Sequence, residues 1–464
     1  MADRPNLLLI TTDHQRFDCV GANGNPVIQT PALDRLAREG ANFSRFYATN
    51  PVCMPARASL FTGRYCQNHG VRCNGIPLPE TELTLPAVLS AAGWHAGSLG
   101  KIHFTPHKGR DHEAPHPLYG WDTLVLSDEP GCYPDAYVRW VRERDPSLVE
   151  KVRVPLPGIE PRGALDAYTL AAPEEFSHTA WVATATIDFI RQHAHEPFFA
   201  HAGFYAPHPP LNAPVPFDTM YDPADMPLPL RREDELDDKP AYFQHGFRQW
   251  GEVPDEEWQR VKAFFYGMCS LVDKHVGRII ACLEELDLLD NTLIAFVSDH
   301  GDMLGDHWHT AKGPTNYDGI VHVPCVLRLP RRLPAGATFA GLVEGVDLMP
   351  TILDILGAEV PAAVKGISAL PAIEGRSPWP KRDVLIEYKH PHGFSVKTLQ
   401  TDEFKYWLTN ANEEVLVDLK EDPDEFINRA AHLSRRSELR EMRERLLRRL
   451  IQVEDDLPER ISEY

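Results

Sequence analysis

Four stretches of the chain are almost continuously apolar and each stops abruptly at polar residues. Asn6-Leu7-Leu8-Leu9-Ile10-Thr11-Thr12 runs into Asp13-His14, and His95 to Leu99 runs into Gly100-Lys101-Ile102-His103. Pro197 to Phe204 runs into Tyr205-Ala206-Pro207-His208, and Leu293 to Val297 runs into Ser298-Asp299-His300-Gly301. Short runs without polar alternation suit strands buried on both faces, as in parallel sheets. Between them lie segments of helical period. Pro31 to Gly40 stops at a glycine, Leu85 to Ala92 and Thr179 to His193 follow, and Asp255 to Leu288 carries apolar residues at spacings of three and four. Val323 to Leu329 and Val346 to Leu356 continue the alternation, and Asn42 to Tyr47 reads as one short aromatic strand. Strands alternating with helices predict an α/β fold with a large, mostly parallel sheet sandwiched by helices.

The pattern changes near residue 365. Asp383–Tyr388, Ser395–Leu399, Lys405–Leu408 and Glu414–Asp418 are short and alternate, which predicts a small antiparallel sheet. A helix from Arg435 to about Val453 follows, with Leu439, Met442, Leu446 and Leu450 on one face and arginines read as a solvated face. The expected division is a catalytic domain over 1–365 and an α+β subdomain over 366–464. Residues 105–170 read as irregular, and together with 205–254 they are expected to shape a ligand pocket.

Composition narrows the partners. A formal charge of −20 over 464 residues argues against nucleic acid or an anionic membrane surface. No apolar run is long enough to span a bilayer, and no secretory leader precedes Asn6, so a cytoplasmic location is expected. The eight cysteines, at 19, 53, 66, 73, 132, 269, 282 and 325, form no Cys-x-x-Cys pair. They are expected to be free thiols, and all but Cys53 buried small apolar side chains.

Cys53 stands apart. It opens Cys53-Met54-Pro55-Ala56-Arg57-Ala58-Ser59-Leu60-Phe61-Thr62-Gly63-Arg64, in which Pro55 suits the first turn of a helix and Gly63 the position just past its end. A helix N-terminus favours an anion. The four polar strand ends lie where open α/β sheets bind ligands. Asp13, Asp299 and His300 are donors for a divalent cation, and His14 is a further candidate. Lys101, His103, His208 and Lys312 supply cations and proton donors. Together they predict a metal-assisted hydrolase of a sulfate or phosphate ester. A thiolate among hard oxygen donors, however, is a poor ligand for Mg²⁺ or Ca²⁺.

The Cys53 segment resembles the sulfatase signature, Cys-x-Pro-x-Arg with a Thr-Gly-Arg end. Gly100-Lys101-Ile102-His103, Pro207-His208-x-Pro210, Ser298-Asp299-His300-Gly301 and the following Lys312 resemble further motifs of that family. The resemblance implies an alkaline-phosphatase-like fold and a Cα-formylglycine made from Cys53 by a formylglycine-generating enzyme. It implies one divalent cation on Asp13, the modified Cys53, Asp299 and His300. His14 and His300 stand where many relatives have Asp and Asn, so Ca²⁺ leads with Mn²⁺ and Mg²⁺ open, and His14 is either a further ligand or a supporting or core histidine. By the same resemblance the hydrated aldehyde attacks sulfur, His208 with Lys312 protonates the leaving alcohol, and His103 deprotonates the second hydroxyl to expel sulfate. Arg57 and Lys101 hold the hydrate and the sulfate oxygens. A dimer or tetramer is the family habit. Asn68 to Leu78 resembles the phosphonate monoester hydrolases instead, which would make Asn74 a substrate contact and phosphonate monoesters or phosphodiesters the alternative substrates.

Overall fold

A computed structural model describes residues 4–108, 114–131, 133, 135–154 and 162–454. Cys132 lies outside the described residues; the other seven cysteines are free thiols, and of these only Cys73 is not buried. The strands in chain order are β1 Asn6–Thr12, β2 Ala41–Phe43, β3 Phe46–Tyr47, β4 His95–Gly100, β5 Thr123–Leu126, β6 Phe198–Gly203 and β7 Thr292–Ser298. They continue as β8 Cys325–Arg328, β9 Ala337–Phe339, β10 Val343–Glu344, β11 Val384–Lys389, β12 Ser395–Gln400, β13 Phe404–Thr409 and β14 Glu414–Asp418. The main sheet runs β5-β4-β6-β1-β7-β8-β2-β9. Its first five strands are mutually parallel, as the sequence predicts.

The continuous apolar run of β1 has a direct cause. Leu8 and Ile10 face a core built with helices His178–Gln192 and Asp255–Glu285, while Leu7 and Leu9 face a second core built with Cys53–Thr62 and Leu348–Leu356. Both faces are dry, so the central positions, Leu7 to Ile10, are all apolar, and the polar residues Asn6, Thr11 and Thr12 fall at the strand's ends. The antiparallel sheet β11-β12-β13-β14 is covered on one side by helix Arg436–Gln452, through Leu439, Met442 and Leu446.

Four expectations need correction. β8 pairs antiparallel with β7, so it does not extend the parallel run. Asn42 to Tyr47 is two strands in different sheets, β2 and β3, because the chain turns at Ser44-Arg45 to leave the main sheet. The segment 105–170 is not uniformly irregular: β5 extends the main sheet beside β4, and Asp135 caps a helix at Ala136–Arg144 by accepting from the Val138 N–H at 2.7 Å. The Arg-rich helix is not merely a solvated face. Arg449 donates to the Tyr65 hydroxyl at 2.6 Å and pairs with buried Glu344, and Arg445 pairs with Asp383 at 3.0 Å.

Candidate active site

Register assembles the site. β1 and β7 pair from Asn6↔Thr292 to Thr12↔Ser298, so the next residues, Asp13 and Asp299, emerge side by side. The Asp299 N–H donates to the Thr12 carbonyl at 3.2 Å and the Lys101 N–H to that of Gly203 at 2.7 Å. Glycine is required at this last pairing: a Cβ on Gly203 would lie 2.1 Å from the Lys101 carbonyl oxygen.

Helix Cys53–Thr62 delivers Cys53 as its first residue and is buried along its whole length. Pro55 sits in its first turn, and Gly63 ends it at φ 64°. Asn74 accepts from the Met54 N–H at 3.0 Å, so its side-chain oxygen caps this helix from an exposed turn. The residue expected to contact substrate therefore also fixes the N-terminus that carries Cys53.

Around the Cys53 Sγ stand Lys312 Nζ at 2.5 Å, His300 Nε2 at 3.3 Å and Asp13 Oδ1 at 3.6 Å. Lys101 Nζ meets Asp13 Oδ2 at 2.6 Å, and its ammonium lies 4.9 Å over the Tyr205 ring. Lys312 Nζ is also 3.4 Å from His208 Nε2, while His208 Nδ1 donates to the Pro209 carbonyl. Arg57 is wholly buried and its donors are engaged: Nε to Asp299 at 2.7 Å, Nη1 to Thr11 Oγ1 and the Lys101 carbonyl, Nη2 to the Thr12 carbonyl. It braces three strand ends and orients Asp299. His103, at φ 56°, has its N–H on Asp128 at 2.8 Å and its ring stacked on His107 at 4.3 Å; its Nδ1 has no hydrogen-bond partner.

These charges set one another. Burial alone would raise the Asp13 carboxyl, but Lys101, His208 and Lys312 hold it well below the usual carboxylate range. Burial and Asp13 push the Cys53 thiol up, yet Lys312 and His300 outweigh them and lower it. Burial, then Lys101 and His107, keep His103 neutral; burial, His14 and Lys312 do the same for His208.

Asp13, Cys53, Asp299 and His300 can bring one ligand atom each to within 4.8 Å of one another, as can Asp13, His14, Cys53 and His208. The imidazoles suit a metal. His14 Nδ1 bonds Asp302 at 2.7 Å and His300 Nδ1 the Gly301 carbonyl at 2.8 Å, which leaves both Nε2 lone pairs turned to Asp13, at 3.8 and 3.5 Å. His14 Nε2 is buried without a hydrogen-bond partner. Two carboxylates, two imidazoles and an oxygen at position 53 would fit a divalent cation; a sulfur there would not suit a hard one.

Sequence reasoning missed the supports. Asp302 holds His14 and also accepts from the Leu304 and Ala311 N–H groups, which anchors the loop carrying Lys312. Asp128 accepts from both Ile102 and His103. Inside the sheet, Ser98, His201 and Thr11 form a hydrogen-bonded chain that reaches Arg57. Its signal was visible: His201 is the one ionisable residue in an otherwise apolar strand.

A cavity of about 760 Å³ opens beside Lys312, lined by Tyr242, Trp250, His309, Tyr388 and Phe394. Of the two segments expected to shape it, 205–254 contributes through 241–250, whereas 105–170 contributes only Ala164 among its described residues; residues between 303 and 320 and the β11–β12 hairpin line it as well.

Fold and site together define a hydrolase of charged esters: parallel-strand ends bearing a cation cradle and carboxylates, around a nucleophile position at a helix start. Comparison with known proteins gives the family. The sulfatase family model matches residues 5–358, and a model of the N-sulphoglucosamine sulphohydrolase C-terminal region matches residues 307–455. The chain belongs to the sulfatase family and is a sulfuric ester hydrolase of the alkaline phosphatase superfamily. It is 33% identical over 460 residues to an arylsulfatase of Clostridium perfringens, covering 92% of this chain and 90% of that one. It is 34% identical over 480 residues to a multifunctional alkaline phosphatase superfamily protein of Trinickia caryophylli, covering 92% and 91%. The phosphonate monoester hydrolase of Agrobacterium radiobacter superposes with a TM-score of 0.86 at 30% identity, covering 99% of this chain and 98% of that one. Among the described residues no helix is long and apolar enough to cross a membrane.

Proposed function

We propose that the protein hydrolyses sulfate monoesters of the arylsulfatase type, with Cys53 converted to formylglycine and one divalent cation on Asp13, Asp299, His300 and position 53, joined by His14. The observation that carries this reading is the pair of ammonium groups, Lys101 and Lys312, at Asp13 and Cys53 respectively. A formylglycine hydrate and a bound cation would supply an oxygen nucleophile and neutralise charge on the ester. This chain's own residues do the rest. Lys101 and Lys312 bind the non-bridging oxygens of the ester and hold negative charge as it develops. His208, oriented by its Nδ1–H on the Pro209 carbonyl, turns its Nε2 lone pair to the Lys312 ammonium; Nε2 takes a proton from Lys312 and passes it to the leaving oxygen. His103, kept neutral by burial and Lys101, is the base that takes a proton at a ring nitrogen in the second half of the cycle. Arg57 keeps Asp299 and the strand ends in register. The aromatic cavity beside Lys312 receives the leaving group.

A second reading, cleavage of phosphonate monoesters or phosphodiesters, is favoured by Asn74 at the Cys53 helix and by the likeness to a phosphonate monoester hydrolase. Comparing kcat/KM for 4-nitrophenyl sulfate and 4-nitrophenyl phenylphosphonate on one preparation separates them. The sulfate ester is expected to be preferred; a preference for the phosphonate overturns the ranking.

A further inference from the structure

A second cavity, of about 290 Å³, shares Tyr388 with the aromatic one but has the opposite character. Arg72, Lys389 and Lys397 line it, against a single carboxylate, Glu387. Lys397 is paired with Glu387 Oε1. The side chains of Arg72 and Lys389 are exposed and form no ion pair or hydrogen bond with the described residues. Two unpaired cations facing one hollow are conspicuous in a chain of net charge −20, where acidic partners are plentiful. The floor carries a complementary signal. Glu387 is 3% exposed, and its Oε2 is buried without a hydrogen-bond partner. A buried carboxylate oxygen in that state requires a donor. The neighbouring Asn50 amide does not provide it, because its nitrogen donates to the Glu387 carbonyl and to Cys66 Sγ.

We propose that this cavity is a second substrate subsite, which binds a carboxylate, sulfate or phosphate group carried next to a hydroxyl on the same molecule as the ester being cleaved. Arg72 and Lys389 pair with the anionic group, and the hydroxyl donates to Glu387 Oε2. The ester lies at Lys312, and the molecule passes Tyr388, which borders both cavities. The inference rests on the sulfatase reading and narrows it: preferred substrates are polyanionic and hydroxylated, and a simple aryl sulfate fills only the aromatic side. A cavity of this size is near the lower end for ligand sites and suits one ring.

The test compares glucuronic acid monosulfates with their methyl esters, which differ only in the second charge, and uses 4-nitrophenyl sulfate as the reference substrate. The wild type is expected to prefer an acid over its methyl ester by roughly tenfold to a hundredfold in kcat/KM, the range of one charge-assisted hydrogen-bonded contact. The Arg72→Ala/Lys389→Ala variant is expected to treat the two alike, with 4-nitrophenyl sulfate turnover unchanged. Calorimetry with unsulfated glucuronate reads the cavity without catalysis: binding in the wild type, lost in the variant. Equal rates for acid and ester together with glucuronate binding would assign the cavity to a free anion and overturn the substrate role. Equal rates without binding overturn the site altogether. Failure on every sulfate ester, with glucuronate binding intact and sensitive to the variant, would contradict the sulfatase reading and leave the anion cavity standing.

Discussion

Two of the clusters of buried charge in this molecule are finished differently. At the strand ends, Asp13, Lys101, Arg57, Asp299 and Lys312 are packed with three imidazoles whose rings approach to 4.3 and 4.5 Å. Beneath the C-terminal helix, Glu344 and Asp347 are held by Lys381, Arg449 and Tyr65. In the second cluster both carboxylates are satisfied at both oxygens: Glu344 also accepts from the Leu385 N–H, and Asp347 from the N–H groups of Glu344 and Ile367. In the first, His14 Nε2, His103 Nδ1 and Thr12 Oγ1 are buried without partners, and His14 and His103 sit at φ 71° and 56°. Leftover valence and strained backbone persist only where surrounding structure enforces them. Burial of charge alone does not mark a functional site; what separates these two clusters is that imidazole nitrogens are left unpartnered at the strand ends, whereas the carboxylates under the helix are fully engaged.

The contrast predicts opposite responses to mutation. Removing the Lys312 ammonium (Lys312→Ala) is expected to lower kcat/KM by about 10²–10³, the usual effect of losing one oxyanion contact, without lowering the urea midpoint. Removing charge from the other cluster (Glu344→Gln) leaves Arg449 and Lys381 underpaired, and is expected to cost about 3–5 kcal/mol of stability with kcat per folded enzyme unchanged. A Lys312→Ala enzyme that unfolds as easily as Glu344→Gln would erase the distinction.

A pH-dependent effect comes from histidines buried for packing. His69, His178 and His275 are each pushed down to about 3 by burial. Their folded values lie below the unfolded value, so the unfolded chain takes up protons first as pH falls. Stability should be level above about pH 6.5 and fall below it by up to about 1.4 kcal/mol per pH unit per histidine. Urea unfolding at pH 7.5 and 5.5 measures this; a midpoint that does not fall at pH 5.5 contradicts the assignment.

Much of this could be read from the chain, because strands dry on both faces carry few polar residues before the site, Ser98 and His201 being interior exceptions that bond each other. Asp13, Lys101, His208 and Asp299 announced themselves as the first ionisable residues after such runs. What stayed hidden depends on long-range register. Nothing near Asp302 says that it will hold His14, 288 positions away. Nothing local to Cys325 says that β8 runs against β7, since a short buried strand has the same composition in either direction. The arginines of the last helix look like surface until Glu344 is placed opposite Arg449.

The proposed mechanism turns on what occupies position 53. Mass spectrometry of the tryptic peptide Phe46–Arg57, from protein made in its source organism, reads it directly. The proposed mechanism predicts a peptide about 18 Da lighter than the cysteine form, from exchange of SH and H for a carbonyl oxygen. An unmodified thiol in enzyme that still turns over sulfate esters would contradict it.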